Sequence, residues 1–259
     1  MKGMSVTDGD RYAREREHFD AAAKNKKEVT PMSKAMIDRY AHPRRPHLFP
    51  REYLFHCLGD LEGKKVLDLG CGEGLASVQL AHAGAEVMGL DISPESIAVA
   101  RRRADVNNVM VDCRVANIET DELGSAQYDV VWCNDVLHHI VPSLDLVIRK
   151  VKEALKPGGQ FIAREPVAYA RWLKAIRHLV PITTGGTPDE QSLGRRELEI
   201  ILKYFPDAKR RYFEIVARIR ELTKNRWLIT RAAQIDNLLL TIPGMNSLAG
   251  TVVICAEKE

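Results

Sequence analysis

A chain of 259 residues, 45% hydrophobic and 28% charged, has the composition of a globular domain large enough for one generous core and an added lid. That composition excludes disorder across the chain, and no run approaches the roughly 18 apolar residues of a membrane span. The net charge of +3 hides an asymmetry: residues 61–163 carry 10 Lys and Arg against 15 Asp and Glu, whereas residues 164–231 carry 15 against 8.

Residues 1–30 are polar, with one amphipathic helix candidate in RYAREREHFDAAAKN. The stretch AHPRRPHLFP holds three prolines and reads as a connector, so residues 1–60 are expected to form an N-terminal helical cap. From Lys64 the pattern changes. Short apolar, β-branched runs alternate with helical periodicity: KKVLDLG, a helix, AEVMGLDIS, a helix, NVMVDCRVAN, YDVVWCN, a helix, and GGQFIARE. Runs apolar on both faces belong to strands covered on both sides, so this alternation predicts a parallel sheet with crossover helices. Ser93 and Pro94 open the second helix as cap and first helical residue. The third places Leu144, Val147, Ile148, Val151 and Leu155 on one face and stops at Lys156-Pro157-Gly158-Gly159. Beyond Pro166, AYARWLKAIRHLV and RRELEIILKYF read as helices, RRYFEIVARI as strand or helix, and TVVICA as a last strand. Residues 61–259 are therefore expected to form one domain, with a lid insertion over about 166–231.

The five cysteines show no CxxC spacing, so neither a zinc ribbon nor a redox pair is expected. Cysteines in the apolar strand-like runs, Cys113, Cys133 and Cys255, read as buried reduced thiols. His18, His42, His47 and His56 lack metal-ligand spacing, and no metal is expected. MKGMSVTDGD lacks an apolar signal region, and a cytoplasmic location follows as an expectation.

The stretch VLDLGCGEG, Val66 to Gly74, carries the chemistry. Glycines directly after a strand let backbone approach a ligand and open a helix whose first amide groups are free. Dinucleotides and S-adenosylmethionine both use this arrangement. Here Gly70, Cys71, Gly72 and Gly74 give GxGxG rather than the dinucleotide GxGxxG. Asp68 would repel a pyrophosphate but welcome an ammonium and a sulfonium. Asp91, about 20 residues on, suits both hydroxyls of a ribose. In VANIET, Asn117 and Ile118 suit the edge and the face of an adenine.

VLDLGCGEG, LDIS, VANIE, YDVVWCNDVLHHI and LKPGGQFI, in this order and spacing, resemble the class I S-adenosylmethionine-dependent methyltransferases. The similarity is to the branch holding ubiquinone- and menaquinone-biosynthesis and small-molecule methyltransferases, and it covers roughly residues 60–165. The resemblance implies an α/β, Rossmann-like, seven-stranded sheet with helices on both faces and a reversed last hairpin. It implies that Asp68, Gly70 and Gly72 line the methionine end, that Asp91 holds the ribose, and that Ile92 stacks near the adenine. The adenine-edge position is commonly Asp in this family; here it is Asn117, whose carbonyl oxygen can still accept from the exocyclic amine. S-adenosyl-L-methionine is then the cofactor and S-adenosyl-L-homocysteine the product.

Methyl transfer from a sulfonium is an in-line displacement, which needs positioning, dryness and, for some acceptors, a base. Asn134, Asp135, His138 and His139 after the fourth strand and Glu165 after the next are the candidates at the expected edge, and Asn134 is expected to offer its backbone to the methionine group. The acceptor is expected to be a small molecule, O-methylation favoured over C- or N-methylation, and isoprenoid, lipid-like or another natural product. A basic, partly apolar lid suits an anionic or membrane-borne acceptor. NDVLH lacks the prolines and stacking ring of base-flipping enzymes, which disfavours nucleic acid; RNA and a non-catalytic scaffold remain the alternatives.

Overall fold

Apolar on both faces, KVLDL becomes the central strand of a seven-stranded sheet. The computed structural model describes residues 8–26, 28–43, 46–169 and 191–259. In chain order the elements are α1 (Asp8–Lys24), α2 (Lys34–Ala41), α3 (Pro50–Leu58), β1 (Lys65–Leu69), α4 (Leu75–His82), β2 (Glu86–Asp91) and α5 (Pro94–Val106). There follow β3 (Val111–Val115), β4 (Tyr128–Asn134), α6 (Leu144–Ala154), β5 (Leu155–Pro166), α7 (Arg195–Tyr204), β6 (Lys209–Phe213), α8 (Arg226–Leu239) and β7 (Thr251–Glu257).

The sheet order is β3-β2-β1-β4-β5-β7-β6, with β7 antiparallel to both of its neighbours. The expected mostly parallel sheet and reversed last hairpin are both present. The order reverses between β1 and β4, so β1, β2 and β4 end around one crevice, where open α/β sheets bind ligands. Leu67, Leu69, Val131 and Phe161 face α6 and α7, while Val66, Val130, Trp132 and Ile162 face α3 and α4. Trp132 is fully buried and its ring lies 5.0 Å from Phe55. Ser93 caps α5 as expected, accepting Ser96 N–H at 3.0 Å.

Three expectations change. The range given to a lid includes part of the core: α7 packs on α6, and β6 is the edge strand beside β7. RRYFEIVARI, left open, is a strand to Phe213 and then a 3₁₀ turn over Ala217–Glu221. Cys255, read as a reduced thiol, is bonded to Cys57, because α3 lies against β7 and brings the two side chains together. Cys71, Cys113 and Cys133 are free and buried. Most of AYARWLKAIRHLV, the basic helix of the expected lid, lies outside the described residues. Among the described residues no helix is long and apolar enough to cross a membrane, and no His, Cys, Asp and Glu cluster has the makings of a metal site.

Candidate active site

β1 and β2 pair in parallel register, so the turn after Leu69 meets the carboxylate that closes β2. Gly70 has φ of 63°, and a Cβ there would overlap the side chain of Val136. Gly72 has φ of 51° and open space within 4 Å of where its Cβ would stand. The first glycine is required by packing and the second leaves room for a ligand. Asp91 accepts Gly72 N–H at 2.8 Å on one carboxylate oxygen and Ser93 N–H at 2.9 Å on the other. Each oxygen keeps a lone pair. Burial pushes the Asp91 carboxyl above its usual range, against the pull of those two N–H groups.

Gly70, Gly72 and Asp91 line a cavity of about 140 Å³, together with Ile92, Ala116, Asn117, Ile118, Glu119, Asp135, Val136, His139 and Ile140. Glu15 and Phe19 of α1 close it from above. Side-chain contacts tie that helix and its C-terminal end down, among them Arg11 to Glu119, Glu15 to His139, Asp20 to Ser93, and Lys26 to Glu73. His139 Nδ1 lies 3.1 Å from Glu15 Oε1. Asp135 sits at φ of 60°, a conformation Asp tolerates better than most residues, and its carboxylate pairs with Arg164.

Of the residues expected from sequence, Gly70, Gly72, Asp91, Ile92, Asn117, Ile118, Asp135 and His139 line the cavity. The others do not. Cys71 points beneath the turn against Ile97, Ala100 and Cys113, and Gly74 packs on Ala100. Asp68 is 2% exposed and accepts the Ser77 hydroxyl at 2.6 Å; burial raises its carboxyl to about 7. Asn134 donates from its side chain to Asp135 at 3.1 Å. The Asn117 oxygen, expected to meet an exocyclic amine, accepts Glu119 N–H at 3.0 Å and so closes its own turn.

Glu165 and His138 are corrected most. Glu165 is fully buried and is not among the residues that line the cavity. Its Oε1 accepts the N–H groups of Val136 (2.9 Å) and Leu137 (2.8 Å), while Oε2 accepts the His138 N–H (3.3 Å) and lies 2.8 Å from His138 Nδ1. The pair therefore holds the turn that carries Asp135, Val136 and His139. Glu165→Gln puts an NH₂ group where Val136 and Leu137 N–H, or the His138 N–H and ring, now meet a carboxylate oxygen. We expect it to lower the unfolding free energy by about 3 kcal/mol, read by urea titration.

Sequence reasoning missed Glu15, Phe19, Glu119 and the buried Lys150, whose ammonium donates to the carbonyls of Glu119 and Asp121 at 3.0 Å each. The visible signals were slight: a Lys on the apolar face of α6, and the acidic residues within the amphipathic N-terminal stretch. Arg51 Nε, Arg164 Nε and Asn134 Oδ1 are buried without hydrogen-bond partners among the described residues. Asp68 and Asp135 lie close enough to Arg51 to act on its charge, as does Arg164. Orphaned buried polar atoms of this kind point to a ligand.

The arrangement fits a nucleoside that carries an amino acid. A buried carboxylate has lone pairs for a ribose diol, isoleucines flank a slot for a base, glycines leave close approach to backbone, and arginines and Asp68 stand near the strand ends. A family model described as a methyltransferase domain matches residues 60–195. The chain is 37% identical over 135 residues to the ubiquinone biosynthesis O-methyltransferase of Xanthomonas oryzae pv. oryzae, covering 49% of this chain and 55% of that protein. It is 34% identical over 167 residues to the protein of the same name from Alkalilimnicola ehrlichii, covering 59% and 66%. The chain thus spans little more than half the length of the curated relatives it matches. Its fold resembles that of a geranyl diphosphate C-methyltransferase from Streptomyces coelicolor, with a TM-score of 0.62, 15% identity, and 96% and 98% of the two chains covered.

Proposed function

Because the chain belongs to the class I S-adenosylmethionine-dependent methyltransferases, we propose that it methylates a small-molecule acceptor, at a hydroxyl oxygen in preference to carbon or nitrogen. The cofactor of that family supplies a methyl group on a positively charged sulfur. Asp91 accepts hydrogen bonds from the ribose hydroxyls, and Ile92 and Ile118 flank the adenine. Gly70 and Gly72 admit the ligand to the backbone. Arg51 holds the carboxylate of the methionine end and Asp68 lies toward its ammonium. Phe19 and α1 keep water out.

His139 takes the acceptor's proton, with Glu15 beside its ring to hold it in place. The observation that carries this reading is their joint position on the cavity wall: His139 is the one histidine there among the described residues, and its Nδ1 lies 3.1 Å from a carboxylate oxygen. A positioned base contributes on the order of a hundredfold. His139→Asn should therefore lower kcat about a hundredfold with phenolic or other hydroxyl acceptors, and change the cofactor Kd by less than about tenfold. Transfer of labelled methyl groups to a panel of hydroxyl, amine and activated-carbon acceptors, with isoprenoid and non-isoprenoid members, checks both the atom and the class. Transfer to amines alone would overturn the hydroxyl assignment, and an unchanged kcat would remove His139 as base.

A further inference from the structure

α8 buries only one side. Ala232, Ala233 and Asp236 pack inward, against Ala217, Leu48 and Phe49. The opposite side carries Trp227, Arg231, Ile235 and Leu238, spaced i, i+4, i+8 and i+11, which sets them in one stripe along the helix. Trp227 is 64% exposed and Leu238 70%, and just beyond the two ends of α8 Leu222, 71% exposed, and Ile242 are also exposed. A run of large apolar side chains this exposed is unusual on a protein that meets only water.

The charges on this segment have one sign. Between residues 222 and 242 the cations are Lys224, Arg226 and Arg231, all exposed, and the one acid is Asp236. Asp236 is 3% exposed and is occupied by the N–H groups of Ile215, Val216 and Ala217, at 2.7–3.1 Å. Arg231 stands inside the apolar stripe with its guanidinium 5.6 Å from the centre of the Trp227 ring. An arginine among Trp, Ile and Leu keeps its stem against apolar groups and its charge at the water boundary, the arrangement of a helix lying in a lipid headgroup layer. Because Asp236 clasps the chain just beyond β6, α8 stands beside the carboxyl edge of the sheet, the edge on which the cavity opens.

We propose that this face of α8, with Leu222 and Ile242, docks on the surface of an anionic lipid bilayer. Trp227 and Leu238 enter the acyl boundary, and Lys224, Arg226 and Arg231 meet anionic headgroups. The proposal does not depend on the chemistry assigned to the cavity.

Sedimentation of the full chain with phosphatidylcholine vesicles, with and without 30% phosphatidylglycerol, tests it. The chain should pellet with the anionic vesicles and be released by raised salt. In a Trp172→Phe background the remaining emission comes from Trp132, which is buried, and Trp227; it should shift to the blue on binding. Each cation near the surface strengthens binding roughly fivefold, so Arg226→Gln with Arg231→Gln should weaken it about 25-fold. Leu238→Gln, on the exposed side and outside the cavity, should weaken it about tenfold while leaving the circular dichroism spectrum and thermal midpoint unchanged. A folded chain that stays in the supernatant overturns the proposal. So does a chain that forms dimers which Leu238→Gln dissociates, since the face then belongs to a second copy.

Discussion

Asp91→Ala should weaken the binding of S-adenosyl-L-homocysteine about a thousandfold, measured by calorimetric titration. Two effects combine. The ribose hydroxyls lose a charged acceptor, and hydrogen bonds to a charged group contribute about 1.5–3 kcal/mol each. In addition, Gly72 N–H and Ser93 N–H lose the acceptors that hold the glycine turn against the start of α5. Asp91→Asn separates the two. Its single oxygen can keep one backbone N–H but not both, and its NH₂ meets the ribose hydroxyl as a donor, so a loss of about thirtyfold is expected. If Asp91→Ala bound the ligand as well as the unaltered chain while remaining folded, Asp91 would not be the ribose acceptor.

The second large effect runs in the opposite direction for stability. Asp68 is buried beside Ser77, and burial raises its carboxyl to about 7, with Arg51 and the Ser77 hydroxyl pulling the other way. In the unfolded chain an aspartate titrates near 3.9. At pH below about 4 both states hold the proton and Asp68 costs nothing. As pH rises from there toward 7, the unfolded chain releases its proton while the folded chain keeps it, so stability falls with pH. Above about pH 7 the difference has accumulated to about 4 kcal/mol, three pKa units at 1.36 kcal/mol each.

Asn at this position has no charge to lose and retains an acceptor for the Ser77 hydroxyl. Asp68→Asn should therefore match the unaltered chain near pH 4 and exceed it by up to about 4 kcal/mol at pH 8, read by urea unfolding across that range. If Asp68 lies toward the methionine ammonium as proposed, the same variant should bind S-adenosyl-L-homocysteine more weakly, because a negative charge on that side is gone. A more stable chain that binds less well is the signature of a carboxylate kept in the core for its ligand. Equal stability at pH 8 would show that the folded chain does not hold Asp68 in a raised state.

The glycine turn was legible because its geometry is local. Gly70 and Gly72 follow a strand by one and three residues, and Asp91 ends the next strand in parallel register, so the sequence distance between them fixes their meeting. The strands were legible for the same reason: runs apolar on both faces fit only a covered sheet. What depended on distant contacts was not readable. Glu165 and His138 were singled out by their place at strand ends, but whether such a side chain turns into the cavity or back into a loop is decided by the N–H groups of Val136 and Leu137. Glu15 and Phe19 reach the cavity from α1, more than a hundred residues before His139, and nothing in their local pattern marks them as wall. The Cys57–Cys255 pair likewise joins residues 198 apart. Asp68 was legible as a carboxylate at the end of β1, whereas its burial against the Ser77 hydroxyl, behind the cavity wall, was not.

The claim on which the rest stands is that the cavity between the glycine turn and Asp91 binds the family's cofactor. Equilibrium titration of the unaltered chain with S-adenosyl-L-homocysteine, with NAD in parallel, measures it directly. Saturable binding at one site per chain is expected, with a rise in unfolding free energy of about 2.7 kcal/mol at a hundred times the Kd, and no response to NAD. A folded chain that binds neither ligand, or NAD alone, would contradict the account and leave VLDLGCGEG as a turn of the fold without a cofactor.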